Sequence, residues 1–468
     1  MWILCGVWVH RDICDRFVDY AAMARRYNSR VTHWITINTA RPPGTLREAS
    51  AAVRKNSPSL SLRFYKGMNP YVYSKALDVI GQGGTYPMLY NDDVWIPAGV
   101  EAFGLPAEVV AQYVMSNCGE QGIEHQSIHS PNGSINYPKI LELTLFNGED
   151  PLSGRASGLK TGDMAKCTGM DQLMDAFKTQ AEYFIRLTSD RLMPIYNAME
   201  LDGCGLFDSI LFDDCLAQGK GLVSGARYKG VFIESHGLIT VSDSLAAIKE
   251  LVFNKKLLTM DTVLKALKSN FEGFGKELRL MQNAPKFGND EPEADNMALE
   301  VYNLAFNTTR AQAERIGASF CLATHISVDG FINMGKIVGA TPDGRLSGAP
   351  FSNSNNPTTG YDRNSVTALL NSMVKYYPNA VAGQVQHLKI NRELFSKHRP
   401  QLEAMLQTYF DNGGSHLCIS VLNKDDLLNA MKEPEKYQNI MVRIGGYSAK
   451  FVNLSRELQE DIAARTVY

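Results

Sequence analysis

Residues 443–451 read Arg-Ile-Gly-Gly-Tyr-Ser-Ala-Lys-Phe, two adjacent glycines between an apolar strand pattern and an aromatic residue. Such a pair makes a turn, because glycine takes positive φ without steric cost. It also permits a chemistry closed to other residues. Removing a hydrogen atom from a glycine Cα leaves an unpaired electron that both the amide nitrogen and the carbonyl delocalise. With no Cβ the centre flattens freely, and no side chain offers a competing hydrogen. A backbone carbon cannot easily reach a substrate, so a radical stored there needs a partner close by. A cysteine thiol is the natural partner, since its S–H bond is close in strength to the glycine C–H and its thiyl form abstracts hydrogen from carbon. Eight cysteines are scattered singly along the chain.

No pair of them has CxxC spacing, so neither a disulfide framework nor a structural zinc site is suggested, and the chain reads as reduced and cytoplasmic. Its 468 residues are 44% hydrophobic and 21% charged, an ordinary globular balance with material for one large α/β core or more than one core. A net charge of −2 gives no electrostatic case for nucleic acid or an anionic membrane. No apolar run approaches a membrane span, and the opening MWILCGVWVHRD lacks the basic leader and cleavage site of a signal peptide. His125 and His129 stand four apart, a zinc spacing on one helix face. HExxH is absent, however, and Pro131 and Gly133 argue for loop, so metal binding is not expected.

Helical patterns alternate with short apolar strands, which predicts an α/β fold. The stretch 83–95 reads as a turn-rich loop, 106–115 as a helix, and the polar run 116–134 as a long loop. The middle, about 170–320, reads as mostly helix, with Asp261 as one helix cap. Between 339 and 360 the density of Gly, Pro and Asn predicts turns. Beyond it, Pro400 opens a helix carrying Leu402, Met405, Leu406 and Tyr409, and 416–422 alternates as a half-buried strand, with Cys418 as a strand-core thiol. A short helix, the strand IMVRI and a terminal helix follow, which puts the glycine pair on a loop after a buried strand.

RIGGYSAKF resembles the radical-bearing motif of the glycyl radical enzymes, the family of pyruvate formate-lyase, glycerol dehydratase and choline trimethylamine-lyase. PSLSLRFY at 58–65, YPMLYNDD at 86–93, APKFGND at 284–290 and GATPDGRLSG at 339–348 are similar to family segments, in the family order, as is GLVSGARYKG at 221–230 less sharply. The resemblance implies that Gly446, immediately before Tyr447, carries the radical. It places the thiyl cysteine at Cys118, in NCGEQ, and a general base at Glu120, two positions on. A single cysteine there argues against acyl transfer; the flanks Asn117, Gly119 and Gln121 depart from the Gly-Cys-Val-Glu-Pro of the lyase and dehydratase branches.

The implied fold is a ten-stranded α/β barrel of two five-stranded halves, with surrounding helices and with the cysteine and glycine finger loops meeting inside. Only 117 residues precede Cys118, so the expectation is an N-terminally incomplete chain supplying the second half-barrel, both fingers and the end of the first half. The expected division is 1–338, a partial barrel domain, and 339–468, a glycine radical domain. The implied activity is elimination from a small substrate, by a dehydratase or C–X lyase, with no bound cofactor. The radical would be installed by a separate S-adenosylmethionine-dependent iron–sulfur activase. A homodimer, or a second chain supplying the missing half-barrel, is the expected assembly. Decarboxylation, C–C bond formation, and a non-catalytic fragment or partner subunit stand as alternatives.

Overall fold

The computed structural model describes strand 34–37 and residues 59–468, apart from 84, 117–118, 130–131, 203–204, 328 and 446–447. Strand β1 (Trp34–Ile37) lies parallel to β2 (Ser59–Phe64), and β2 lies parallel to β3 (Met88–Asn91). Helix α1 (Pro70–Gly81) connects β2 to β3, and α2 (Asp92–Phe103) leaves β3 directly. A hairpin follows, made of β4 (Tyr113–Ser116) and β5 (Glu120–Ile123). Next come β6 (Asn132–Asn136), helices α3 (Tyr137–Leu145) and α4 (Met170–Leu201), β7 (Val231–His236), α5 (Leu238–Ile248) and α6 (Pro292–Arg310). The chain continues through β8 (Cys321–His325), β9 (Val381–Gln384), β10 (His387–Ile390), α7 (Arg399–Asp411) and β11 (His416–Val421). It ends with a second hairpin, β12 (Met441–Arg443) and β13 (Ser448–Lys450), and α8 (Arg456–Ala464).

Strands β6, β7, β8 and β9 pair in parallel, as do β10 and β11. The ladder bridges the break between β9 and β10: Val385 N–H donates to the His325 carbonyl at 3.2 Å, and Cys418 N–H to that of Gln386 at 2.8 Å. The result is a continuous parallel run, β6–β7–β8–β9/β10–β11. Strand β11 then meets β3 antiparallel, with His416 opposite Tyr90. This seam joins the run to β3–β2–β1 and makes the molecule part of an α/β barrel.

Parallel strands between two layers must be apolar on both faces. Outward, Val231, Ile233, Cys321, Ala323 and Val381 pack on α4, α5 and α6 in the largest core cluster. Inward, Phe232, Leu322 and Ala382 meet Phe103 and Phe320. A second large cluster joins Leu62, Leu89, Leu388, Ile419 and Val421 to the buried faces of α1 and α7. Each such side chain contributes about 1.5–3 kcal/mol by leaving water. Strand β11 is therefore buried on both faces rather than half-buried: Leu417, Ile419 and Val421 face the helices, while Cys418 faces the interior with Met88 and Tyr90.

Several local readings are corrected. Residues 88–91 are a strand, not loop, and the helix at 106–115 shrinks to Ala107–Val110 before the chain turns into β4. The polar run expected as a long loop is mostly short strands. Thr259, not Asp261, caps its helix: its hydroxyl accepts from Thr262 N–H at 3.1 Å, while Asp261 pairs with Lys265. The terminal helix stops at Ala464, and Tyr468 instead pairs its backbone with Lys389 and Asn391 beside β10. The 339–348 turns form as expected, with 339–345 buried, and there Arg345 donates to the carbonyls of Gly335, Gly339 and Ala349. Among the described residues no helix is long and apolar enough to cross a membrane.

Candidate active site

The β4–β5 hairpin is anchored at its base. The Arg63 guanidinium binds Asp92 at 2.7 Å and the Ala111 carbonyl at 3.0 Å, and lies 4.1 Å from the Tyr113 ring centroid. Tyr113 donates to Asp92 at 2.6 Å, and burial pushes its phenol well above the ordinary range, so it stays a donor. Further along, Gln121 donates to the Trp95 carbonyl at 3.2 Å, and Trp95 to that of Ser415 at 2.8 Å.

Cys118, with Asn117, lies outside the described residues; the chain is described again from Gly119. Gly119 has φ +88°, and a Cβ there would sit 3.0 Å from Tyr90 Oη. Across from it, Glu120 pairs with Gly383 of β9, so this hairpin is hydrogen-bonded to a barrel strand. Glu120 is buried, and Asn132 Nδ2 donates to its Oε1 at 3.0 Å.

The β12–β13 hairpin approaches the same strand β3 and the residues just before it. Buried Arg443 donates to Tyr86 Oη at 2.7 Å and to Met88 Sδ at 2.8 Å. Ser448 bonds Thr85, hydroxyl to hydroxyl, at 2.7 Å. Ile444 and Gly445 are buried; Gly446 and Tyr447 lie outside the described residues. The returning strand β13 was not anticipated from sequence. The Arg443 charge shapes its surroundings. Burial, with Arg443 pushing the same way, holds the His416 imidazole neutral, down at about 3. Burial raises the Cys418 thiol against the pull of Arg443, so it stays protonated in the interior wall.

Between the hairpins and β6–β8 lies a polar patch that sequence reasoning missed. In β6 the exposed Asn132 and Ser134 alternate with buried Gly133 and Ile135. Ser134 donates to Glu234 Oε2 at 3.3 Å, and His236 Nε2 lies 3.2 Å from the same oxygen. The signal was present as a period-2 pattern in NGSIN and a lone glutamate in VFIESH, but Pro131 and Gly133 had read as a breaker. His125 and His129 part company: His125 Nδ1 meets the Leu211 carbonyl at 2.6 Å, while His129 stacks on Phe232, neutral because burial lowers it to about 4.

A pyruvate formate lyase-like family model matches residues 46–327, and a glycine radical model matches 351–452. The chain belongs to the glycyl radical enzyme family. Among members of this family it is 34% identical over 414 residues to a trans-4-hydroxy-L-proline dehydratase of Clostridioides difficile, covering 87% of this chain and 52% of that protein. An isethionate sulfite-lyase of Oleidesulfovibrio alaskensis is 30% identical, covering 100% and 58%. The glycerol-bound B12-independent glycerol dehydratase from Clostridium butyricum superposes with a TM-score of 0.88 at 30% identity, over 94% of this chain and 57% of that one. The chain thus spans little more than half the length of the glycyl radical enzymes it matches.

Proposed function

We propose that this chain carries the catalytic part of a radical elimination enzyme, with Gly446 as the radical store, Cys118 as the thiyl residue and Glu120 as the base. The observation that carries the reading is the meeting of both hairpins on one strand segment. Gly119 of the first packs at Tyr90, while Arg443 of the second bonds Tyr86 and Met88. Similarity to proteins named dehydratase and sulfite-lyase supports elimination.

The steps balance as follows. The Gly446 Cα radical takes the hydrogen of the Cys118 S–H, restoring the glycine and leaving a thiyl. The thiyl takes a hydrogen atom from a substrate carbon bearing a hydroxyl. Glu120 accepts that hydroxyl's proton, and the resulting anion radical expels the leaving group, with its electron pair, from the neighbouring carbon. Return of hydrogen from Cys118 to the product radical regenerates the thiyl and then the glycyl radical. Burial of Glu120 beside Asn132 suits a base oriented by a fixed donor. A separate S-adenosylmethionine-dependent iron–sulfur activase would form the first radical, and the substrate is a small molecule.

The chain also presents Leu201, Leu206, Phe207, Ile210 and Leu216 to solvent, the first of them 90% exposed. Large apolar side chains gathered in one segment mark a contact surface, which favours action as a homodimer or with a second polypeptide. The test of function is anaerobic activation of the chain by such an activase, followed by electron paramagnetic resonance. A glycyl doublet that Gly446→Ala abolishes and Cys118→Ser retains is expected. A doublet surviving Gly446→Ala would remove that residue from the scheme.

A further inference from the structure

Strand β10 sends Leu388 and Ile390 into the core beneath α1 and α7, so Lys389 points the other way, into the molecule. Lys389 is 7% exposed, and its ammonium donates to the Ile462 carbonyl of α8. Elsewhere buried or half-buried cations have acidic partners: Arg63 has Asp92, and Lys375 has Asp290 and Asp295. No carboxylate pairs with Lys389 among the described residues. Burial pulls this ammonium well below its ordinary value, and Arg465 pushes the same way against Asp461 and Asp362. A cation out of water and without a counter-ion is costly, and an anion brought beside it offsets that cost.

Room for one exists. Lys389 lines a cavity of about 40 Å³, together with Arg465, Asp362, His387 and Asn353. The Arg465 guanidinium holds Asp461 through Nε and Nη2, while Nη1 makes no hydrogen bond among the described residues. The acidic groups are engaged: Asp461 also accepts from Thr359, and Asp362 accepts from Tyr468. In the cavity wall Asn353 leaves its amide nitrogen without a partner among the described residues. The unused groups are therefore mainly donors, which suits an acceptor as ligand. Size narrows the choice. A water needs about 10–15 Å³ of such space, so this cavity takes about three non-hydrogen atoms. That admits a one-carbon carboxylate and excludes the bulkier phosphate and sulfate.

The cavity lies where three parts of the chain meet: the turn at Asn353, strand β10, and the end of α8 at Arg465. Helix α8 in turn shares a core cluster with the second hairpin, since Leu458 and Ile462 pack with Val442 and Ile444. We propose that the cavity is a binding site for a small carboxylate of the size of formate, held between Lys389 and Arg465. Its occupancy fastens α8 to β10, and through α8 it steadies the hairpin that leads to Gly446.

The test uses the 468-residue chain without activation, titrated with sodium formate at neutral pH and followed by hydrogen exchange. Sodium chloride and sodium sulfate at matched ionic strength are the controls. At about ten times its dissociation constant, formate is expected to slow exchange across 441–445 and 456–467 about tenfold, with α4 unchanged. Chloride and sulfate leave both segments as they were. Lys389→Met removes the ammonium and weakens the formate response at least about tenfold. If Lys389→Met does not fold, Asn353→Asp decides: a fixed carboxylate in the same wall shuts formate out. No saturable slowing, equal slowing in α4, an equal effect of chloride, or a formate response that survives these substitutions overturns the inference. Because no radical is formed in this experiment, its outcome and that of the glycyl signal are independent.

Discussion

A methyl group on the Cα of Gly383 would lie 2.3 Å from the carbonyl oxygen of Gly119. Real Cβ atoms do not come that close, so the hairpin that leads to Cys118 seats against β9 only because residue 383 has no side chain. Gly383→Ala is expected to lift the hairpin by forcing backbone from backbone, with no flexible side chain to yield. Hydrogen exchange across 113–123 should speed up while the outer helices α4 and α6 keep their protection. Unchanged exchange in the hairpin would show that the contact is not needed to seat it.

Arg443 holds the second hairpin by its bonds to Tyr86 and Met88. Removing the guanidinium in Arg443→Leu takes a donor from the buried Tyr86 hydroxyl, at a cost of about 2–3 kcal/mol. Lysine lacks the planar fork, so Arg443→Lys should rescue only weakly. Exchange at 441–450 reports the loosening, and a glycyl signal that decays faster under anaerobic conditions would be its functional counterpart.

Oxygen provides a chemical mark of the radical site. Brief air exposure of the activated protein should cut the chain at Gly446, giving a short C-terminal fragment by mass spectrometry. Gly446→Ala, carried through the same activation, should stay whole. An intact wild-type C-terminus after activation and air would count against this residue.

Glu124 supplies a pH signature. It is 6% exposed, neither carboxylate oxygen accepts a hydrogen bond among the described residues, His125 Nε2 stands 3.5 Å from Oε1, and burial, reinforced by Asp213 and opposed by Arg63, pushes it up to about 8. A carboxyl whose folded pKa is raised keeps its proton in the native state after the unfolded chain has lost it. The folded state then binds more protons, and stability falls as pH rises from about 4.5 to about 8. Glu124→Gln removes this loss. The variant and wild type should melt alike at pH 4, and the variant should melt higher at pH 8.5. Parallel melting curves across that range would mean that Glu124 is ionised in the folded state at neutral pH.

Much of this molecule was legible because its signals are local. The glycine pair and the ordered segments around 58–65, 86–93, 284–290 and 339–348 led to the family. The alternation of helices with apolar strands led to α/β, because a strand buried on both faces carries an apolar run, as Val231, Phe232 and Ile233 do at the start of β7. The misreadings cluster at the candidate site. Residues 113–123 read as helix and loop because Gly, Gln and Glu are poor strand formers. Tyr113–Ser116 and Glu120–Ile123 form strands because β5 is paired to β4 along its length and touches β9 at Gly383. Polar residues collect where a chamber needs them, so local propensity and tertiary role disagree there.

The family, the class of fold and the residue types able to hold a radical follow from the order of residues alone, since these depend on covalent chemistry and on patterns along one chain. What faces what is a matter of the folded molecule. Strand β3 receives both hairpins, Gly383 makes room for Gly119, Asn132 orients Glu120, and Glu234 shares a level with Thr324 and Ser134. These residues lie hundreds of positions apart in several cases. No local periodicity encodes such pairings, because register between distant strands is set only when buried faces on both sides are satisfied together.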